Sequence, residues 1–386
     1  MICPNRNSGM HIGFYAPFKP LGHPHPSGDQ IIAKGLVQSF ESHGNSVTIT
    51  SNLRCRWIYR SPRLLLRAFK EFRRLSSSLA DQKLDCWFTY HSYYKSPDIL
   101  GPILSRKVEC PYIIQQGSYA TKFSRQWKTL PGFLLNRYAL KKADTLITDR
   151  QRDYLNLKRL VSQDKIHMVK PGISTSEFQF HQESRNQLRS QWQIPSGTPI
   201  ICTAAMFRAD VKSLGIEWII DCCQQLVKQQ VDFHLLIIGD GVERNRLHTY
   251  AQQLPAGRYR FVGRVPHQEM FRYFSAADLF AFPGFNESLG MVFLEAQCCG
   301  LPVVACENGG IPEIMQHQRT GFLIPLQDKN SFSEHIRLLL ENAGLRKQMG
   351  FKATSYVQNR HDRNRNNLQV IQIIQRTVAE YRKKHA

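Results

Sequence analysis

No apolar run in this chain of 386 residues approaches the ~18 residues that a membrane-crossing helix needs. The stretch from Met1 through Arg6 has none of the apolar character of a signal peptide. The chain is therefore expected to be soluble or to sit on a membrane surface. Its ten cysteines show no C-x-x-C or zinc-ribbon spacing, and the neighbours Cys222–Cys223 and Cys298–Cys299 are poor partners for each other. That argues against a disulfide framework or a zinc domain and suits reduced thiols in the cytoplasm. There is no repeat of roughly 20–50 residues and no low-complexity tract, which excludes a solenoid. No helix-turn-helix, RNP or zinc pattern supports nucleic-acid binding. Acidic residues are the scarce charge: 30 Asp and Glu stand against 51 Lys and Arg, a net of +21. Such a balance points to an anionic partner, whether a membrane surface or a phosphorylated ligand.

Hydrophobic residues make up 42% of the chain, enough for real cores, and the length suits two domains. The charge is uneven. Residues 1–180 hold 27 Lys and Arg against 12 Asp and Glu, and residues 181–386 hold 24 against 18. Short apolar runs at 10–16, 47–50, 86–90, 112–114, 145–148 and 166–169 read as buried parallel strands, with helical patterns between most of them. The rhythm restarts at 199–204 and continues at 234–238, 260–262, 279–282, 302–305 and 321–324. Lys170-Pro171-Gly172-Ile173 reads as a linker. The pattern predicts an α/β protein of two Rossmann-like domains facing a cleft. The expected domains are 1–172, joined by a basic C-terminal helix of about 363–386, and 180–355.

The segment most charged with chemistry runs from Pro283 to Ala296. It reads as a strand end, a loop holding Gly290 and a helix start, with Glu287 and Glu295 eight residues apart. Free N–H groups at a helix start bind phosphate oxygens, glycine permits close backbone approach, and carboxylates accept from sugar hydroxyls. These are the parts of a nucleotide-sugar site; a capped helix with solvent-facing carboxylates is the plain alternative. A second cluster, Arg208-Ala209-Asp210-Val211-Lys212, follows the strand at 199–204. Its cations can neutralise a diphosphate, or can form a surface ion pair with Asp210. No Asp-x-Asp is present to hold a metal. Gly239-Asp240-Gly241 ends a strand, but Arg244 breaks a G-x-G-x-x-G pattern, so a tight turn is the better reading than a dinucleotide site.

Glu287-Ser288-Leu289-Gly290-Met291-Val292-Phe293-Leu294-Glu295, followed by Gly300-Leu301-Pro302-Val303-Val304-Ala305 and Gly309-Gly310-Ile311-Pro312-Glu313, resembles the signature of the family-4 glycosyltransferases, retaining enzymes of group 1 with the GT-B fold. The resemblance is specific from about 279 to 324 and weaker from 10 to about 340. It implies that Glu287 faces the donor sugar, that Glu295 binds ribose, and that the backbone at Gly290, Met291 and Val292 faces diphosphate and sugar. It also implies that Val262, in Phe261-Val262-Gly263-Arg264, flanks the donor base. Lys212 matches the family lysine. Arg208 stands four residues before it instead of five, and Ser213 replaces the usual glycine. Ser27-Gly28 matches the family's Gly-Gly loop in position. Gly28 can let the backbone approach the diphosphate, or Ser27 or Asp29 can simply cap the helix. His23 and His25 lie in the same loop. Gln116 stands where the family has a histidine, and a Gln takes no proton. His91 also has a family counterpart and can act at the cleft or be a plain rim residue.

Arg54, Arg56, Arg60, Arg63, Arg67, Lys70, Arg73 and Arg74 lie within 21 residues, opposed only by Glu71. From Pro62 onward, Leu65, Phe69 and Phe72 share a helical face. A basic amphipathic helix reads as a binder of anionic membrane, and the alternative is a surface helix packed on the sheet. The expectation is a hexosyltransferase in which Glu287, Arg208, Lys212 and His91 do the chemistry. It would move a hexose from a nucleotide diphosphate sugar, with retention, to a hydroxyl of a membrane-associated glycolipid or polysaccharide precursor. The donor is a substrate, and no separate cofactor, metal or nucleic acid is expected. The expected location is cytoplasmic, peripheral at the inner face of the membrane. A nucleotide-sugar epimerase of the same fold and a non-catalytic membrane-surface protein are the rivals.

Overall fold

The computed structural model describes residues 9–22, 28–79 and 82–386, so His23, His25 and Ser27 lie outside the described residues. The chain forms two compact units, one of Met1–Pro171 with Asn364–Ala386 and the other of Gly172–Arg363.

The first unit alternates strands and helices: β1 (His11–Tyr15), α1 (Gly28–Ser42), β2 (Ser46–Ser51), α2 (Pro62–Ser78), β3 (Cys86–Ser92), α3 (Gly101–Lys107), β4 (Tyr112–Gly117), α4 (Leu130–Lys142), β5 (Thr145–Thr148), α5 (Gln151–Leu157) and β6 (Ile166–Met168). The strands form one parallel sheet in the order β2-β1-β3-β4-β5-β6. A parallel sheet buries both faces, because its crossover helices cover it on each side. Alternation along β3 shows this. Trp87 packs in the cluster with Leu75, Leu104 and Leu140, whereas Phe88 and Tyr90 pack in the cluster with Phe14 and Phe40.

The second unit runs α6 (Gln182–Gln191), β7 (Ile200–Ala204), α7 (Val211–Lys228), β8 (His234–Ile238), α8 (Arg244–Ala251), β9 (Tyr259–Gly263), α9 (Met270–Ala276), β10 (Leu279–Ala281), α10 (Met291–Cys298), β11 (Val303–Cys306), β12 (Gly321–Ile324), α11 (Lys329–Glu341) and α12 (Ala343–Arg360). Its parallel sheet has the order β12-β11-β10-β7-β8-β9. Every apolar run read as a strand is a strand, within three residues of the expected ends.

The last helix, α13 (Arg363–His385), packs back on the first unit, as expected of the basic C-terminal segment. Val370, Ile371, Ile374 and Val378 join Ile12, Phe14, Leu36 and Phe40 in one cluster, and the Thr377 hydroxyl lies 2.8 Å from that of Thr145.

Helix α2 leaves most of the expected apolar face uncovered. Ser61 caps it by accepting from Leu64 N, and Pro62 opens its first turn. Its packed side is Ala68 and Leu75, with Leu64 and Phe72 beside them. Leu65, Leu66 and Phe69 remain 47%, 57% and 57% exposed. Phe72 alone of the expected apolar face packs inward, because the helix meets its neighbours about one position round from the stripe that the spacing suggested.

Ile374 has no exposed surface. Its replacement by alanine is expected to cost the first unit about 2–5 kcal/mol of stability in urea unfolding. Leu368→Ala, at a position 39% exposed on the same helix, is expected to stay within about 0.5 kcal/mol of the parent. Equal effects would contradict the docking of α13.

Candidate functional site

In an open parallel sheet, the loops at the carboxyl ends of two strands diverge where the strand order reverses, and a binding crevice opens there. In the second unit that point lies between β7 and β10, which are neighbours in the sheet. The loop after β7 leads through Arg208 to the start of α7. The loop after β10 carries Phe282 to Gly290. Lys212, in the first turn of α7, donates its Nζ to Glu287 Oε1 across this point. The two side chains are 24% and 13% exposed. Phe282 lies under the ammonium, 5.7 Å from ring centre to Nζ, and burial lowers the Lys212 pKa from its ordinary value.

Glu287 is held by glycines. A Cβ on Gly309 would sit 1.9 Å from Glu287 O, and one on Gly310 would sit 2.1 Å from Ser288 O. Asn308 ties the loop from the same side, donating its Nδ2 to Gly284 O at 2.9 Å. Gly290 occupies the N-cap of α10 at φ 77°, a conformation that side chains resist, and no side chain caps the helix. The first N–H groups of α10, at Met291 and Val292, therefore have no intrahelical acceptor. That is the usual anion-binding end of a helix.

Glu295 lies one turn further along α10 and is 7% exposed. His267, in the turn after β9, places Nε2 at 3.0 Å from Glu295 Oε1. This contact raises the His267 pKa. Val262 sits in β9 against the core of the unit. Arg208 forms no ion pair among the described residues; its guanidinium lies 3.4 Å from Met206 Sδ. Asp210 instead caps α7, accepting from Lys212 N at 2.8 Å. The expected alternative of a surface pair among Arg208, Asp210 and Lys212 is not formed. The 239–241 segment is a turn that braces this loop: Phe207 N donates to Asp240 O at 3.0 Å, and Glu243 N donates to Phe207 O at 3.1 Å.

In the first unit the order reverses between β1 and β3. Gly28 is the first residue of α1, and Asp29 follows it. Asp29 Oδ1 lies 2.8 Å from Nδ1 of His91. The His91 ring packs with those of Phe18 and Tyr93, with centres 4.9 Å and 5.1 Å away. His91 and Gln116 are the next-to-last residues of their strands, at φ 62° and 57°, a left-handed conformation unusual for residues with a side chain. Gln116 donates its Nε2 to Asp149 Oδ2 at 2.7 Å. Burial pushes the Asp149 carboxyl up to about 6, against the opposing pull of Arg150. The Tyr90 hydroxyl, buried nearby, has no hydrogen-bond partner among the described residues.

Residues 184–356 match the family described as glycosyl transferases group 1. The chain is 29% identical over 246 residues to a GDP-mannose-dependent monoacylated alpha-(1-6)-phosphatidylinositol monomannoside mannosyltransferase of Corynebacterium glutamicum; the match spans 60% of this chain and 62% of the relative. A D-inositol 3-phosphate glycosyltransferase of Corynebacterium aurimucosum is 29% identical over 205 residues, covering 51% of this chain and 48% of the relative. This chain thus spans about half to three fifths of those relatives. Among solved structures, sucrose-phosphate synthase of Thermosynechococcus elongatus superposes with a TM-score of 0.72 at 19% identity, over 96% of this chain and 100% of that one. Together these place the chain in the GT-B fold. The group 1 segment contains Lys212, Glu287, Gly290 and Glu295, whereas His91 and Asp149 lie outside it.

Sequence reasoning missed three of the residues gathered at these strand ends. Asp29 was weighed only as a cap. Asp149, directly after a buried strand, and His267, in the loop after β9, were not singled out, and their placement between strand and helix was the available signal.

The Asp149 carboxyl gives a prediction for pH. Its folded pKa of about 6 lies above the ordinary value of roughly 3.9, so folding favours its protonated form. Its contribution is full below about pH 4 and is lost as pH rises through about 6, a change of about 3 kcal/mol. The melting temperature of Asp149→Asn minus that of the parent should therefore rise between pH 4 and pH 7. Parallel curves would show that Asp149 does not titrate in this way.

Proposed function

We propose that the protein is a retaining glycosyltransferase of family 4. It moves a hexose from a nucleotide diphosphate sugar to a hydroxyl of a membrane-associated glycolipid or polysaccharide precursor. The observation that carries this reading is the Lys212–Glu287 contact at the head of the uncapped helix α10. The cation, the helix N–H groups and the carboxylate provide, in one place, partners for a diphosphate and for sugar hydroxyls. Fixed donors aimed at a developing charge are worth most in such a partly buried place.

In this reading the bond from the sugar's anomeric carbon to the diphosphate oxygen breaks while the bond to the acceptor oxygen forms on the same face. Lys212, Arg208 and the N–H groups of Met291 and Val292 hold the departing diphosphate. Glu287 holds the sugar, Glu295 the ribose, and Val262 flanks the base. The acceptor's proton passes to the leaving phosphate oxygen, so Gln116 in the place of the family histidine is no obstacle. His91, oriented by Asp29, lines the acceptor side, and Gly28 is the backbone's approach to the diphosphate there. The name of the Corynebacterium glutamicum relative supports a mannose donor and an inositol-containing lipid acceptor as the first candidates to assay.

Helix α2 supports a peripheral position at an anionic, cytoplasm-facing membrane surface. Arg63, Arg67, Lys70 and Arg73 are exposed and form no ion pair among the described residues, and Leu65, Leu66 and Phe69 stand exposed beside them. Arg74 is engaged with Glu71 at 2.8 Å. Among the described residues no helix is long and apolar enough to cross a membrane. Each basic side chain near an anionic surface contributes about 1 kcal/mol.

The test is a panel of UDP-, GDP- and ADP-sugars with polyprenyl and inositol lipid acceptors. Acceptor-dependent release of nucleoside diphosphate is expected from one donor, and Lys212→Ala should lower kcat on the order of 10²-fold. Epimerised donor without acceptor-dependent release would favour the isomerase instead. For the membrane, the triple change Arg63→Ser, Arg67→Ser, Arg73→Ser should abolish co-sedimentation with phosphatidylglycerol vesicles. Undiminished binding would refute that contact.

A further inference from the structure

We infer that His267 is a positioning residue for the nucleoside half of the donor: it orients the Glu295 carboxylate so that its second oxygen accepts from ribose hydroxyls. The inference rests on the proposed role of Glu295. A buried carboxylate needs a donor or a counter-charge. Glu295 is nearly covered, and His267 Nε2 at 3.0 Å from Oε1 is its only side-chain partner among the described residues. An ionised carboxylate has room for about four hydrogen bonds, so acceptor capacity remains for a vicinal diol.

The imidazole is itself fixed. It follows Pro266 in the tight turn His267–Glu269, and its ring meets the edge of Phe178 with centres 5.2 Å apart. Glu177 and Arg363, 3.5 Å from each other, are the other charges acting on it, and they oppose one another. Glu295 therefore dominates, and its contact favours a proton on Nε2. Carboxylate and imidazole come from separate parts of the unit's ligand edge, α10 after the central strand β10 and the turn after the edge strand β9. Their contact consequently fixes a side-chain direction that α10 alone leaves free.

The test measures dissociation constants of GDP and UDP, and of their 2′,3′-dideoxy analogues, by calorimetry on the full chain. The parent is expected to prefer the ribonucleotide. His267→Ala should weaken ribonucleotide binding about 5–10-fold and leave the dideoxy analogue within about 2-fold, the loss of one charge-assisted hydrogen bond's ordering. His267→Gln, whose amide can still donate, should restore most of the preference. A merely structural role would weaken both ligands alike and gain nothing from Gln, and that result overturns the inference. Glu295→Gln separates the two readings. If it abolishes the preference while His267→Ala keeps it, the ribose carboxylate stands and His267 has no part in it. If the preference survives Glu295→Gln, the role of Glu295 itself falls, and the inference with it.

Discussion

Both units depend on a single constraint: a parallel sheet leaves no face to water. Each strand must return through a covering helix, and every return brings a loop to the same carboxyl edge. Where the order reverses, between β1 and β3 and between β7 and β10, two such loops part. The residues proposed to carry the chemistry stand at those points because the backbone delivers them there. Lys212 opens the helix after β7, and Glu287 sits in the loop after β10. Asp29 lies in the first turn of the helix after β1, and His91 lies near the end of β3. A pair 75 residues apart in one unit and a pair 62 apart in the other meet by the same topological rule.

Electrostatics sharpens what topology supplies. The chain is short of acids, yet several of those it has are wholly or partly covered and matched to a base or an amide at these edges: Glu287 with Lys212, Glu295 with His267, Asp29 with His91, Asp149 with Gln116. Burial makes each pairing matter more, because an unpaired carboxylate there is costly. The basic excess is a different matter. On α2 it is solvent-facing, intermixed with uncovered leucine and phenylalanine, and only Arg74 is neutralised by the helix's lone acid. One protein thus uses positive charge in two ways, as a scarce buried partner and as a broad exposed face.

Much of the fold was legible. Runs of β-branched and aromatic residues marked all twelve strands found among the described residues, because strands buried on both faces are apolar throughout. The basic C-terminal helix was expected to return to the first domain and does so through Val370, Ile371, Ile374 and Val378. Helix α2 was less legible. Its spacing suggested Leu65, Phe69 and Phe72 as one face, but which side of an amphipathic helix is covered depends on the neighbours it meets, and Ala68 and Leu75 are the residues covered. Glu287, Glu295, Gly290 and Lys212 could be singled out as candidates because their motif is dense and local. His267 and Asp149 were not, since each matters only through a contact with a residue distant in sequence.

The sequence by itself determined the two α/β series, the break near residue 172, the glycines that shape the loop around Glu287 and the uneven charge. These are local properties, written in periodicity and in residue types that permit only certain backbones. Tertiary structure alone decided which charged groups became partners. Arg208 lies beside Met206 rather than Asp210, Lys212 reaches Glu287, and His267 rather than solvent meets Glu295. Partnership between side chains on different strands is set by sheet order, and sheet order is a property of the packed whole that no short stretch of sequence contains.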